Sequence, residues 1–351
     1  MRTIEWKEDG VYIIDQTALP DEVNIIRCEE YERIAKAIER MEVRGAPAIG
    51  VAAAMGIALA AKGCTLASCE DLQNKLEDAY ERLRKTRPTA RNLFWALERM
   101  RRTWISASSS EPKELVKRIV SEAISIAEED VAVCRAIGRN GAELIEDGDG
   151  VLTHCNAGAL ACVEHGTALG VVRSAAEEGK NFIVYATETR PLLQGARLTA
   201  FELKNEGIPF RLLTDNMVGY VMRQRLVNKI IVGADLITRY GDVVNKIGTY
   251  GIAALARHHG IPFYVAAPLS TIDLAKNIED VIIEERSPTE VTCIRGIKIA
   301  PDGTKVINPA FDITPRELVS GIITEVGVVD PPYDLSLLFR QGGNGIDRVV
   351  S

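Results

Sequence analysis

The sequence predicts an α/β protein: an N-terminal helical domain with a small β unit, then a C-terminal Rossmann-like, doubly wound parallel sheet. Three observations carry this expectation. Helical patterning dominates from Tyr31 to about Glu146. After Gly148 short apolar runs recur instead, with helical stretches between most of them. Those runs are continuously apolar, not alternating, which marks strands buried on both faces of a parallel sheet. The change of pattern sets the expected domains at 1–147 and 148–351.

The elements follow in order. Thr3–Trp6 and Val11–Ile14 flank Glu8-Asp9-Gly10, and Asp-Gly is a hairpin signal. Val23–Arg27 adds a third strand. Helices are expected over Tyr31–Met41, Pro47–Lys62, Cys69–Lys85, Ala90–Ser106 and Pro112–Glu146, the last with a break near Asp130. Gly63, Arg87-Pro88 and Ser108-Ser109-Ser110 punctuate them. Five strands follow: Val151–Thr153, Phe182–Ala186, Phe210–Thr214, Lys229–Gly233 and Pro262–Ala266. Ala161–Glu178, Gly195–Asn205, Gly219–Arg225 and Gly248–His259 are read as the intervening helices. From Glu284 the chain is proline-rich and is expected to be irregular, wrapping the sheet and ending in a flexible stretch near Gln341–Gly345.

Bulk properties exclude several classes. With 351 residues, 46% hydrophobic, 26% charged and a net charge of -7, the composition is that of a soluble globular protein. Mild acidity argues against nucleic-acid partners. The seven cysteines are scattered, and with no Cys-x-x-Cys pair and only four histidines no metal is expected. Scattered thiols fit a reducing cytoplasm. The first residues show no secretory signal, and the apolar run Ala46–Ala61 is read as a buried helix, so no membrane partner is expected. The first strand is not followed by Gly-x-Gly-x-x-Gly, so no dinucleotide cofactor is expected.

Candidate chemistry gathers at strand ends, where open α/β sheets bind ligands. Gly150-Val-Leu-Thr-His-Cys-Asn-Ala-Gly158 places Cys155 on a strand-to-helix turn, where N–H groups and a helix dipole favour thiolate. The alternative is a small buried hydrophobe, as most free cysteines are. Thr187-Glu-Thr-Arg-Pro191 with Gln194-Gly195 follows the second strand, Thr214-Asp215-Asn216 the third, and Gly233-Ala234-Asp235 the fourth. Asp215 reads equally as a helix cap and as a site residue. Asp235 ends an apolar strand, where poor solvation would raise its pKa and suit a general acid. Asn245 and Lys246 sit before a helix start and are read as holding an anionic or hydroxylated ligand. In the first domain, Arg44 and Arg87 each precede a proline and a helix, an arrangement suited to phosphate.

Together these motifs resemble the methylthioribose-1-phosphate isomerase family, which is related to the regulatory subunits of the translation-initiation guanine-nucleotide exchange factor. The resemblance spans nearly the whole chain: Ile14-Asp-Gln-Thr-Ala-Leu-Pro20, then RGAPAIG at 44–50, RPTARNLFWAL at 87–97 and LTHCNAGALA at 152–161. It continues through TETRPLLQGARLTAFEL at 187–203, GADLITRYGDVVNKIGTYGIA at 233–253 and NPAFDITPRELVSGIITEVGV at 308–328. It implies a catalytic Cys155 and Asp235, and substrate contacts at Arg44, Gly45, Ala46, Arg87, Gln194, Asn245 and Lys246. It also implies a homodimer with no required metal. The implied reaction converts 5-methylthioribose 1-phosphate to 5-methylthioribulose 1-phosphate in methionine salvage. Asp235 would handle the ring-oxygen or hydroxyl proton, and Cys155 would assist hydrogen transfer between C2 and C1. Two other readings stand beside it: a ribose-1,5-bisphosphate isomerase, and a non-catalytic translation-factor subunit that binds a nucleotide or sugar phosphate.

Overall fold

The computed structural model describes residues 1–64, 69–87, 90–106 and 111–340. The chain divides into two compact units. The first is Met1–Arg135 with Ala159–Gly166; the second is Ala136–Gly158 with the chain from Thr167 onward.

The first unit opens with an antiparallel sheet of β1 (Ile4–Lys7), β2 (Gly10–Ile14) and β3 (Ile25–Cys28). Lys7 pairs with Gly10, so Glu8-Asp9 forms the expected hairpin turn. Four helices follow, α1 (Tyr31–Glu39), α2 (Ala46–Lys62), α3 (Cys69–Arg84) and α4 (Arg91–Ser106). Helix α2 is apolar on every face, so it must lie at the centre of a bundle or in a membrane. Here it packs against α1, α3 and α4, and nearly all its residues are buried. Its small residues permit close approach: a Cβ on Gly50 would stand 2.8 Å from the Asn92 carbonyl oxygen of α4. Among the described residues no helix is long and apolar enough to cross a membrane. Helix α5 (Pro112–Ala142) is continuous through Asp130, where the sequence suggested a break. The punctuating Ser108–Ser110 and Pro88 lie outside the described residues.

The second unit holds a seven-stranded sheet. Its members are β4 (Gly150–Thr153), β5 (Ile183–Thr187), β6 (Phe210–Leu213), β7 (Lys229–Val232), β10 (Phe263–Ala266), β15 (Gly321–Thr324) and β16 (Gly327–Val329). The strand order is β16-β15-β10-β7-β4-β5-β6, parallel except for the edge strand β16. Renumbered from β4, the six parallel strands run 3-2-1-4-5-6, the doubly wound order, with its reversal between β4 and β7. A second sheet joins β8 (Leu236–Thr238), β9 (Val243–Lys246), β11 (Ile272–Asp273) and β14 (Phe311–Thr314) in the order β11-β8-β9-β14. Strands β12 (Cys293–Ile294) and β13 (Ile297–Lys298) form a minimal hairpin.

Two sequence expectations are corrected here, and one is extended. The chain after Glu284 is not merely irregular: it contributes β14 to the small sheet and β15 and β16 to the large one. Residues 242–248 lead into a helix capped by Gly248 as expected, and they also contain β9, a strand the sequence did not suggest. The helix expected from Ala161 begins at Ala168 as α6 (Ala168–Glu177), after a single 3-10 turn at Ala159–Ala161. The cause lies in the first unit. The Val163 carbonyl accepts the Thr3 N–H at 2.9 Å, and the Val163 N–H donates to Asp130 at 2.7 Å. His165 and Gly166 then adopt left-handed backbone, which no helix continues through. The flexible end expected at Gln341–Gly345 lies outside the described residues.

Candidate active site

Strands β4 and β7 diverge at the reversal point, and the loops leaving them carry Cys155 and Asp235. Cys155 is half-buried with φ 64, a left-handed conformation uncommon for a residue with a side chain. Hydrogen bonds hold it there. Its N–H donates to Thr189 Oγ1 at 2.8 Å, and its carbonyl accepts from Thr199 Oγ1 at 2.6 Å. The support therefore comes from the chain after β5. The helix N-terminus expected to face the thiol is displaced to Ala168.

A directional relay runs from this point. The Ile247 carbonyl can only accept, so His154 Nε2, 2.9 Å away, donates to it. Burial pushes the His154 pKa down, so the ring is neutral and its Nδ1 accepts the Thr187 hydroxyl proton at 2.6 Å. Thr187 in turn lies 3.2 Å from Thr189 Oγ1, the acceptor of the Cys155 N–H. The His154 ring thus ties the Cys155 loop to the junction after β9. A Cβ on Gly248 would stand 3.1 Å from that ring, so glycine is required there for space as well as for its φ of 105.

Asp215 serves this scaffold. Its two carboxylate oxygens accept the backbone N–H groups of Thr189 and Arg190, at 2.8 and 2.7 Å. The helix-cap reading open in the sequence is not what its contacts match, since it caps no helix. The anchored backbone is a neighbouring loop and not the following helix. The loop then turns into α7 (Ala200–Asn205) through a π-helical turn at Gly195–Thr199. Gly195 is pressed so close to β5 that a Cβ would sit 1.7 Å from the Thr187 carbonyl oxygen.

Asp235 is half-buried, and its N–H donates to the Val244 carbonyl at 2.9 Å. That bond sets Asp235 beside β9, whose last residues are Asn245 and Lys246, both buried. Asn245 Nδ2 donates to Thr249 Oγ1 at 3.0 Å, at the start of α9 (Thr249–His259). Burial pushes the Lys246 ammonium below its ordinary pKa. The Cys155 thiol and the Asp235 carboxyl both oppose that shift, so each lies within electrostatic reach of the Lys246 ammonium. Arg286 acts on Lys246 in the other direction, while being held at 3.1 Å by Glu284 and 2.7 Å by Glu290. Gln194 is buried, and among the described residues its Oε1 has no hydrogen-bond partner. The structure thus brings Cys155, Asp235 and Lys246 together.

The remaining sequence candidates belong to the first unit. Gly45 caps α2 with φ 94, and a Cβ there would fall 2.4 Å from the Ala161 Cα, so no other residue fits without a shift. Arg44 is half-buried immediately before this cap, and Ala46, buried, opens the helix ahead of Pro47. The first turn of α2 has no acidic residue and no side-chain cap, a setting that favours anions. Arg87 is half-buried on the loop between α3 and α4, and its carbonyl accepts the Ala90 N–H at 3.1 Å.

Sequence reasoning placed Thr187 and Thr189 at a strand end without giving them a role, and it missed His154 and Glu202. Glu202 is buried, accepts from Asn156 Nδ2 at 2.8 Å and pairs with the buried Arg173 at 2.5 Å. A Cβ on Gly158 would meet its carboxylate at 2.4 Å. The signal for His154 was present, since it adjoins Cys155; Glu202 declares itself only through tertiary pairing.

Strand order defines the class: a doubly wound α/β protein, an architecture that binds ligands at its switch point. The chain belongs to the initiation factor 2 subunit family, matched over residues 42–331. It is 54% identical to a methylthioribose-1-phosphate isomerase of Fervidobacterium nodosum, over 97% of this chain and 98% of that protein. Among solved structures it is similar to a 5-methylthioribose 1-phosphate isomerase from Pyrococcus horikoshii OT3. That likeness has a TM-score of 0.91 and 48% identity, covering 97% of this chain and 96% of the other. A structure titled as the translation initiation factor eIF-2B, subunit delta, from A. fulgidus has a TM-score of 0.86 and 50% identity. It covers 95% of this chain and 97% of that one.

Proposed function

We propose that this protein is an aldose–ketose isomerase that converts 5-methylthioribose 1-phosphate to 5-methylthioribulose 1-phosphate, a step of methionine salvage. The observation that carries the reading is that Cys155 and Asp235 follow the two strands flanking the sheet's switch point, with Asp235 bonded to β9, the strand that ends in Asn245 and Lys246. The curated relatives that share about half the sequence over nearly its full length carry the same activity in their names.

The chemistry explains why such groups are needed. Phosphate on the anomeric oxygen prevents the ring from opening to a free aldehyde. The ring oxygen must gain a proton as its bond to C1 breaks, the C2 hydrogen must reach C1, and the C2 hydroxyl must lose its proton to become the ketone. We assign the oxygen-bound protons to Asp235 and assistance to the C2–C1 hydrogen transfer to Cys155. Lys246 and Asn245 hold the anionic and hydroxylated parts of the sugar phosphate. The unpaired acceptor of Gln194 suits a substrate hydroxyl donor. Substrate contact is also assigned to Arg44, Gly45, Ala46 and Arg87, on the strength of the resemblance. The protein is taken to act in the cytoplasm as a homodimer.

The experiment is ketose formation by purified protein, with 5-methylthioribose 1-phosphate and ribose 1,5-bisphosphate supplied in parallel. Turnover of the methylthio sugar alone is expected. Turnover of the bisphosphate alone would reassign the substrate, and turnover of neither would leave a binding subunit as the function. Cys155→Ser and Asp235→Asn are each expected to lower kcat by roughly 10²–10⁴-fold, the usual worth of a positioned acid–base group. Near-normal rates in both would remove the assignment.

A further inference from the structure

Away from the switch point, the first unit contains a second concentration of reactive side chains. Asp130, Cys134 and Cys162 each direct one donor atom into a common space, with those atoms all within 4.8 Å of one another. Asp130 and Cys134 stand four residues apart on one face of α5, and Cys162 arrives from the short segment Ala159–Gly166. Both thiols are fully buried, 0% and 1% exposed. The Asp130 carboxyl accepts the Val163 N–H at 2.7 Å, and among the described residues it forms no ion pair.

We propose that Asp130, Cys134 and Cys162 form a binding site for a thiophilic divalent cation of the zinc class. The geometry fits: tetrahedral zinc with metal–sulfur bonds of about 2.3 Å brings its sulfur ligands to about 3.7 Å, inside the observed spread. Softness selects the metal, since two thiolates favour zinc over magnesium or calcium. The balance is simple. A divalent ion displaces one proton from each thiol and bonds to both sulfurs and a carboxylate oxygen, with no change of oxidation state. Three protein ligands leave a fourth position for water or a backbone carbonyl. The cation would pin Ala159–Gly166 to α5, a structural role separate from the isomerase chemistry.

The test uses the full chain, reduced and stripped of metal, titrated with cadmium and followed by the ultraviolet thiolate-to-cadmium band. The expected result is a band that saturates at one cadmium per chain and is displaced by zinc. It should be lost in both Cys134→Ser and Cys162→Ser and retained in Cys155→Ser. Asp130→Asn keeps both thiols, and its binding should weaken by at least the ~10–100-fold that loss of a supporting ligand costs. Circular dichroism of each variant separates loss of binding from loss of fold. Absence of the band in the parent protein, or its persistence in either cysteine variant, overturns the site. So does recovery of Cys134 and Cys162 as a disulfide whose reduction restores no cadmium binding.

Discussion

The reach of single side chains is clearest around Cys155. Its thiol is aimed by a left-handed backbone that its own residue type disfavours, so the positioning belongs to Thr189 and Thr199. Thr189→Val removes the acceptor of the Cys155 N–H. Leaving a buried donor unmet costs about 1–3 kcal/mol. We expect kcat to fall while KM changes little, measured with 5-methylthioribose 1-phosphate. Lys246 gives a pH signature. Burial lowers its pKa, so the ammonium loses its proton at a lower pH than an ordinary lysine and stops attracting phosphate there. The profile of kcat/KM, which reports the free enzyme, should fall on the alkaline side earlier than an exposed lysine would dictate. Lys246→Met should abolish that limb along with most phosphate affinity.

At the scale of elements, packing decides more than propensity. Gly195→Ala would drive a methyl group into the Thr187 carbonyl, so β5 and the π turn must separate. Overpacking of this kind costs at least about 1–3 kcal/mol, to be read as a lowered Tm. The entry to the large sheet depends on Asp149, buried at the foot of β4. It accepts from Lys229 Nζ at 2.6 Å, Asn228 Nδ2 at 2.5 Å and the Glu146 N–H at 2.7 Å. Burial alone would raise its pKa; these three donors outweigh it and hold the carboxyl below the usual range. A depressed carboxylate stabilises the fold in full above its unfolded pKa of about 3.9. That contribution is lost as pH falls through the lower folded value. Asp149→Asn should therefore cost about 3–5 kcal/mol at neutral pH, the penalty for stranding a buried partner, and much less in strong acid.

Legibility in the sequence followed physical range. Five strands of the large sheet were readable because short apolar runs recur there between helical stretches. Strands β15 and β16 were not, although β15 is no shorter than most of these, because they are set among prolines and glycines with no helical stretch between them. Cys155, Asp235 and Lys246 stood out because strand ends are places where chemistry is expected. Asp215 was visible at a strand end but its role was not, and Glu202 was not visible at all, because their partners lie 25 to 46 residues away and only folding makes the pairing. The metal-like trio was hidden for the same reason, spread over positions 130, 134 and 162 with none of the usual short spacings.

For the molecule as a whole, the isomerase reading and the two-unit architecture meet in one question of chain path. The chain enters the second unit after Arg135, returns to the first for Ala159–Gly166 and leaves it again at Thr167. That brief return supplies the Leu160 carbonyl that accepts from the buried Gln16, the Val163 carbonyl that meets Thr3, and Cys162. A fragment cut at residue 147 would lack all three and is expected to yield a loosely packed chain with weak near-ultraviolet circular dichroism. The two units are thus sewn together by sequence and not merely strung in series. Any graft of the second unit as one continuous stretch of chain therefore carries an eight-residue piece of the first with it.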